Sequence, residues 1–217
     1  MRPLGVFGGM FDPVHFGHLR AAFEVHQALG LERVHLIPAS DPPHRDHPVA
    51  DGRLRLAMLR AAIAQAPWFE ADGRELERSG RSYTVLTLEE FRRERGEQPL
   101  VLIVGLDAFL GLTSWHRWQE LLELAHLAVV PRPGGLLPVA GTLADLLDSR
   151  RAAAAEAFAT SPAGRIYVHQ GAQLDVSSSG LRATLEAGRD PRYLMPESVR
   201  RMILETGAYA RRGNTSE

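Results

Sequence analysis

The chain contains no cysteine. Disulfides, thiolate nucleophiles and cysteine-ligated zinc are therefore excluded. Lysine is absent too, so all 25 basic residues are arginine. A Walker A phosphate loop needs the lysine of its Gly-Lys-Ser/Thr sequence, and Schiff-base chemistry needs a lysine amine; both are closed. A genome rich in G and C accounts for the bias, in keeping with the abundant alanine and arginine. No apolar run approaches the roughly 20 residues that span a bilayer. The opening MRPLGVFGG is too short in apolar length for a signal peptide, so a cytoplasmic protein is expected. The net charge of −1 gives no general pull toward nucleic acid or an anionic membrane. What remains is 217 residues, 45% hydrophobic and 24% charged, enough for one full domain with a sizeable core.

Apolar runs with strand character occur at Leu4–Phe7, Val34–Pro38, Leu100–Gly105, Leu127–Pro131 and Ile166–His169, with a weaker one at Trp68–Ala71. Helical periodicity fills most gaps: Phe16–Leu29, Gly52–Gln65, Tyr83–Glu94, Trp115–Ala125, Leu143–Phe158, Ser178–Ala187 and Pro196–Thr206. Gly30 and Gly188 stand where C-terminal caps belong. This alternation predicts an α/β fold: a Rossmann-like parallel sheet with helices on both faces. A single domain, 1–217, is expected, with about 190–217 as a small helical appendage. Ligands of such sheets sit beyond the carboxyl ends of the strands, where the strand order switches.

The most informative segment, residues 8–20, is GGMFDPVHFGHLR. It joins the first strand to the first helix. Gly8 and Gly9 let a ligand approach their backbone N–H groups. Asp12 then Pro13 predicts a helix entry, a capping oxygen followed by a preset φ. His15 and His18 are expected one turn apart on one face near the positive end of the helix dipole. Bare amides, a helix N-terminus and two imidazoles make a phosphate site. A zinc pair lacks a third ligand at a helical interval, and a chance pair is the bland alternative for a chain with nine histidines.

Four further segments carry chemistry-bearing residues. Asp175-Val176-Ser177-Ser178-Ser179-Gly180-Leu181-Arg182 opens a helix, where hydroxyls, amides and a fork-shaped guanidinium bind anions; an ordinary serine cap explains it equally well. Pro42-Pro43-His44-Arg45 is a stiff cationic loop or a plain surface turn. Glu75-Leu76-Glu77-Arg78 precedes Ser82-Tyr83-Thr84, where Ser82 or Thr84 could cap a helix. Gly105-Leu106-Asp107 ends a strand with a carboxylate at the ligand edge. In the following Trp115-His116-Arg117-Trp118 the two indoles share a helical face; one is core, and an exposed one stacks on a flat heterocycle.

Together these segments resemble bacterial nicotinate-nucleotide adenylyltransferases, of the nucleotidyltransferase superfamily. GGMFDPVHFGHL is similar to the GG-T/S-FDP-x-H-x-GHL signature and PPHR to the PPH-K/R loop, with Arg53 and Met58 on the helix after it. ELERSGRSYTVLTL, GLDAFLGLTSWHRW, RPG at 132–134 and VSSSGLR follow in the family's order. Met10 departs from the usual Thr or Ser, so contact there must come from its backbone; Ser179 stands in for Thr.

The resemblance implies transfer of the adenylyl group of ATP to nicotinate mononucleotide, giving nicotinate adenine dinucleotide and pyrophosphate in NAD biosynthesis. It implies His15, His18 and Arg182 as catalytic. ATP would lie on Gly8, Gly9, Met10, Phe11, His15, His18, Gly105, Asp107, Ser177, Ser178, Ser179 and Arg182. The mononucleotide would lie on His44, Arg45, Thr84, Asp107, Trp115 and Arg132. Mg²⁺ would come with ATP, with no metal site in the protein itself. Partners would be small molecules, not nucleic acid or membrane, with a homo-oligomer left open. Nicotinamide mononucleotide or phosphopantetheine as acceptor, or a non-catalytic nucleotide sensor, are the competing readings.

Overall fold

A computed structural model describes residues 1–40, 49–152, 154–172 and 174–210. Among these residues six strands pair in parallel: β1 (Leu4–Gly9), β2 (Val34–Pro38), β3 (Phe69–Ala71), β4 (Leu100–Gly105), β5 (His126–Val130) and β6 (Ile166–Val168). Their order is β3-β2-β1-β4-β5-β6, so the chain leaves β1 toward one edge and returns beside it at β4. That switch opens a crevice at the carboxyl ends of β1 and β4, the place where such sheets bind ligands.

Both faces are covered, which is why the strands are continuous apolar runs. The side chains alternate: Val101 and Ile103 of β4 face one core, Leu100, Leu102 and Val104 the other. The first core takes Ala22 and Val25 from α1 (Phe16–Ala28), Met58 and Leu59 from α2 (Gly52–Ile63), Leu181 from α8 (Ser178–Glu186), and Val199 and Ile203 from α9 (Glu197–Thr206). The second takes Val85, Leu88 and Phe91 from α4 (Thr84–Arg95), Phe109 from α5 (Leu106–Leu110), Leu121 from α6 (Leu121–Leu124) and Leu147 from α7 (Thr142–Arg150). The remaining helix, α3 (Arg74–Glu77), is one turn long. Gly30 and Gly188 follow α1 and α8 with φ of +57° and +69°, as helix-ending glycines do.

Two expected helices are broken by tertiary contacts. Within 115–125 only Leu121–Leu124 is α-helical, because Arg117 has φ +53° and carboxylates of Glu89 and Glu120 hold its guanidinium. Trp115 and Trp118 therefore do not share a helical face, although both pack partly against the second core. The periodicity over 143–158 stops at Arg150: Arg151 bridges to Ile166, and Ala152 N–H donates to the Ile166 carbonyl at 2.9 Å. The chain resumes as a 3-10 turn, Ala155–Phe158, which buries Phe158 completely.

Candidate active site

The two strands flanking the switch end in glycines. A Cβ built at Gly8 or at Gly105 meets nothing within 4 Å, so the fold's own packing does not demand glycine at either position. Open space beside bare backbone suits a ligand that comes close. Gly9 is different, since a Cβ there would stand 3.2 Å from the Phe11 ring. Phe11 is fully buried with φ +47°, edge-on to Phe7 and His18. The Phe11 side chain is thus part of the core and not of the crevice lining.

His15 and His18 stack at the start of α1, ring centroids 3.7 Å apart and 24° from parallel. His15 is the helix N-cap and is buried. Its Nδ1 has no hydrogen-bond partner among the described residues. Burial pushes the imidazole down to about 4, so the ring is neutral near pH 7. Gly17 makes the stacking possible, because a Cβ there would press on the His15 ring at 2.9 Å. A pH effect follows. The unfolded chain takes up this proton near 6.5 and the folded chain only near 4, so stability falls as pH drops through that window, by up to about 3 kcal/mol. Urea midpoints of the wild type and His15→Gln, measured from pH 7 to pH 4, should converge as pH falls. Parallel curves would contradict the assignment.

Asp12 is not the helix cap. The helix starts after His15, and the Asp12 carboxylate is buried and bonded elsewhere. It accepts from Val49 N–H at 2.8 Å, Ala50 N–H at 3.1 Å and the Tyr209 hydroxyl at 2.6 Å, three donors that a solvent-facing cap could not gather. Burial and the Asp12 carboxylate push the Tyr209 phenol far above its ordinary value. Arg55 is fully buried beside them, donating to the Met10 carbonyl at 2.8 Å and the Ala50 carbonyl at 3.1 Å. The Met10 carbonyl thus faces the protein.

The serine-rich segment meets the first motif directly. Ser177 caps α8 by accepting from Gly180 N–H at 3.2 Å. Ser178 Oγ donates to the Pro13 carbonyl at 3.0 Å, and Arg182 Nη1 to the Asp12 carbonyl at 2.8 Å. The two anion-suited helix starts therefore stand side by side, 165 to 170 residues apart in sequence. Ser178 spends its hydroxyl on the protein, so its contribution to an anion is its backbone N–H.

On the other side of the switch, Asp107 and Arg132 pair at 2.5 Å, both more than half exposed, beyond the ends of β4 and β5. Thr84 begins α4, and neither it nor Ser82 caps the helix: Tyr83 is the N-cap without a side-chain bond, and Ser82 Oγ accepts from Ser40 N–H at 2.8 Å. Tyr83 packs on His116, ring centroids 4.4 Å apart. Trp115 lies half-buried nearby in sequence. His44 and Arg45 lie outside the described residues.

A cytidylyltransferase-like family model matches residues 6–184. The probable nicotinate-nucleotide adenylyltransferase of Methylococcus capsulatus is 45% identical over 209 residues, covering 96% of this chain and 100% of that one. The chain belongs to the nicotinate-nucleotide adenylyltransferase family. A second member, named likewise, from Dechloromonas aromatica, is 47% identical over 201 residues, 91% of this chain and 93% of its own. Among solved structures, Plasmodium falciparum nicotinic acid mononucleotide adenylyltransferase, complexed with NaAD, superposes with a TM-score of 0.74 over 96% of this chain and 98% of that chain; at 14% identity this speaks to the fold.

Sequence reasoning passed over Arg55, Tyr209, Glu24 and His169. Arg55 had a signal: it shares the stripe of Met58, Leu59 and Ile63 on α2, where a charge needs a buried partner. The other three have partners far away in sequence, which no local pattern reveals.

Proposed function

We propose that the chain transfers the adenylyl group of ATP to nicotinate mononucleotide, releasing pyrophosphate. The observation that carries this is the junction of two anion-suited helix starts at Asp12–Pro13, through Ser178 and Arg182, in the crevice beside Gly8 and Gly105. A triphosphate laid there meets His15 and His18 from one side and the start of α8 from the other. A 5′-phosphate oxygen of the mononucleotide attacks the α-phosphorus in line. The bond to the β-phosphate's bridging oxygen breaks, and pyrophosphate leaves with its electron pair. No protein nucleophile takes part, and no net proton moves to the enzyme. Catalysis is positioning and charge stabilisation by backbone amides, imidazole N–H and Arg182.

The acceptor lies toward Thr84, Asp107, Trp115 and Arg132, with Trp115 offering a face to the pyridine ring. Magnesium enters as part of the nucleotide, carried by its phosphate oxygens. Among the described residues no helix is long and apolar enough to cross a membrane.

Pyrophosphate release from ATP tests this directly, with nicotinate mononucleotide, nicotinamide mononucleotide and phosphopantetheine as acceptors. The acid mononucleotide should give the highest kcat/KM, and EDTA should abolish turnover until Mg²⁺ is restored. Preference for phosphopantetheine overturns the proposal; equal use of both mononucleotides removes its acid specificity.

A further inference from the structure

Glu24 is a buried carboxylate on α1, six residues beyond His18 and with no part in the chemistry above. Its partners are unusual for a helix side chain. His169, where the chain leaves β6, points Nε2 at Glu24 Oε2 across 2.8 Å, both side chains buried. Ala172 N–H donates to Oε1 at 3.2 Å, and Arg20 Nε to the same oxygen at 2.6 Å. Gly171 lies directly on this pair: a Cβ there would overlap both Glu24 Oε2 and His169 Nε2. Its φ is not in the left-handed region, so contact, not conformation, accounts for the glycine. The chain held in this way at His169 and Ala172 precedes Ser177 and the start of α8 by a few residues. At its far end a Cβ on Gly17 would stand 3.3 Å from the Val176 carbonyl, so the same helix meets that segment again beside His15.

We propose that Glu24 is a positioning residue for ATP. It ties the approach to the α8 phosphate grip onto the helix that carries His15 and His18, so both grips keep one spacing. The proposal rests on the assignment of the triphosphate to that junction. A displacement of about 1 Å in such a frame suffices for a large kinetic loss. The effect belongs to the nucleotide, because the acceptor side hangs from β4, β5 and α4.

The test compares wild type, Glu24→Ala, Glu24→Gln and Gly171→Ala. Glu24→Ala should raise KM for ATP about tenfold and weaken binding of a non-hydrolysable ATP analogue equally, leaving KM for the mononucleotide within about twofold. Glu24→Gln keeps an acceptor for Ala172 N–H and should restore most of the loss. Gly171→Ala keeps both ionisable partners but forces the chain at 171 away from the Glu24–His169 pair; with an unchanged circular dichroism spectrum, it should also raise KM for ATP. Unchanged analogue affinity in Gly171→Ala, or equal shifts for both substrates, overturns the proposal. Wild type that binds the analogue but adenylylates no mononucleotide overturns the functional proposal instead.

Discussion

His18→Ala should lower kcat by about 10² to 10³, the loss typical when one preorganised donor to a charged transition state is removed. His18 stacks on His15 and meets Phe11 edge-on at 5.0 Å, but it is only partly buried. Its removal therefore takes away the proposed donor to the triphosphate without opening the core, and circular dichroism should be unchanged. If the imidazole acts on charge developing on the departing pyrophosphate, kcat and kcat/KM fall together while KM for ATP moves little. His15→Ala is less clean, because His15 is buried and its loss leaves a gap beside Gly17. The double variant should be no worse than about tenfold below the poorer single one, since two rings gripping one phosphate group fail as a unit. A kcat within tenfold of wild type for His18→Ala would remove the histidine from the mechanism.

Asp12→Ala should be the most destabilising single change near the site, at about 3–5 kcal/mol, the loss seen when a buried charge is deprived of its partner. The carboxylate serves two backbone N–H groups and a phenol at once, and it lies close to the buried Arg55 guanidinium. Alanine leaves all of these without their acceptor, in a place where water cannot easily substitute. For a chain of this length the melting temperature should drop by roughly 10 °C. Tyr209→Phe removes only the hydroxyl bond and should cost about 1 kcal/mol. Thermal unfolding of the three proteins decides the matter; a drop below about 3 °C for Asp12→Ala would mean that the network carries little of the stability.

The sheet was legible because parallel strands covered on both faces must be apolar throughout, and the runs at Val34–Pro38 and Leu100–Gly105 match β2 and β4 end to end. Even the weak candidate at 68–71 is β3. The helices at 115–125 and 143–158 were misjudged for a shared reason. Local propensity favours helix in both, but distant groups outbid it: Glu89 captures Arg117, and β6 captures 151–152. The two segments proposed to hold phosphate stood out because glycine, histidine and serine at a strand-to-helix turn restrict what can happen there. Asp12 was misread because a capping aspartate and a buried one look alike until the donors from residues 49, 50 and 209 are brought to it. Glu24 and His169 were invisible for the same reason, being 145 residues apart.

The bond between Asp12 and Tyr209 joins positions 197 residues apart. During synthesis at about 5–20 residues per second, the ribosome makes the signature motif early and its phenol partner roughly 10 to 40 s later. Through that interval the nascent chain carries a carboxylate and a buried-type arginine with no finished place for either. The proposed triphosphate junction thus gains its last partner only after all six strands, which end at Val168, have been translated.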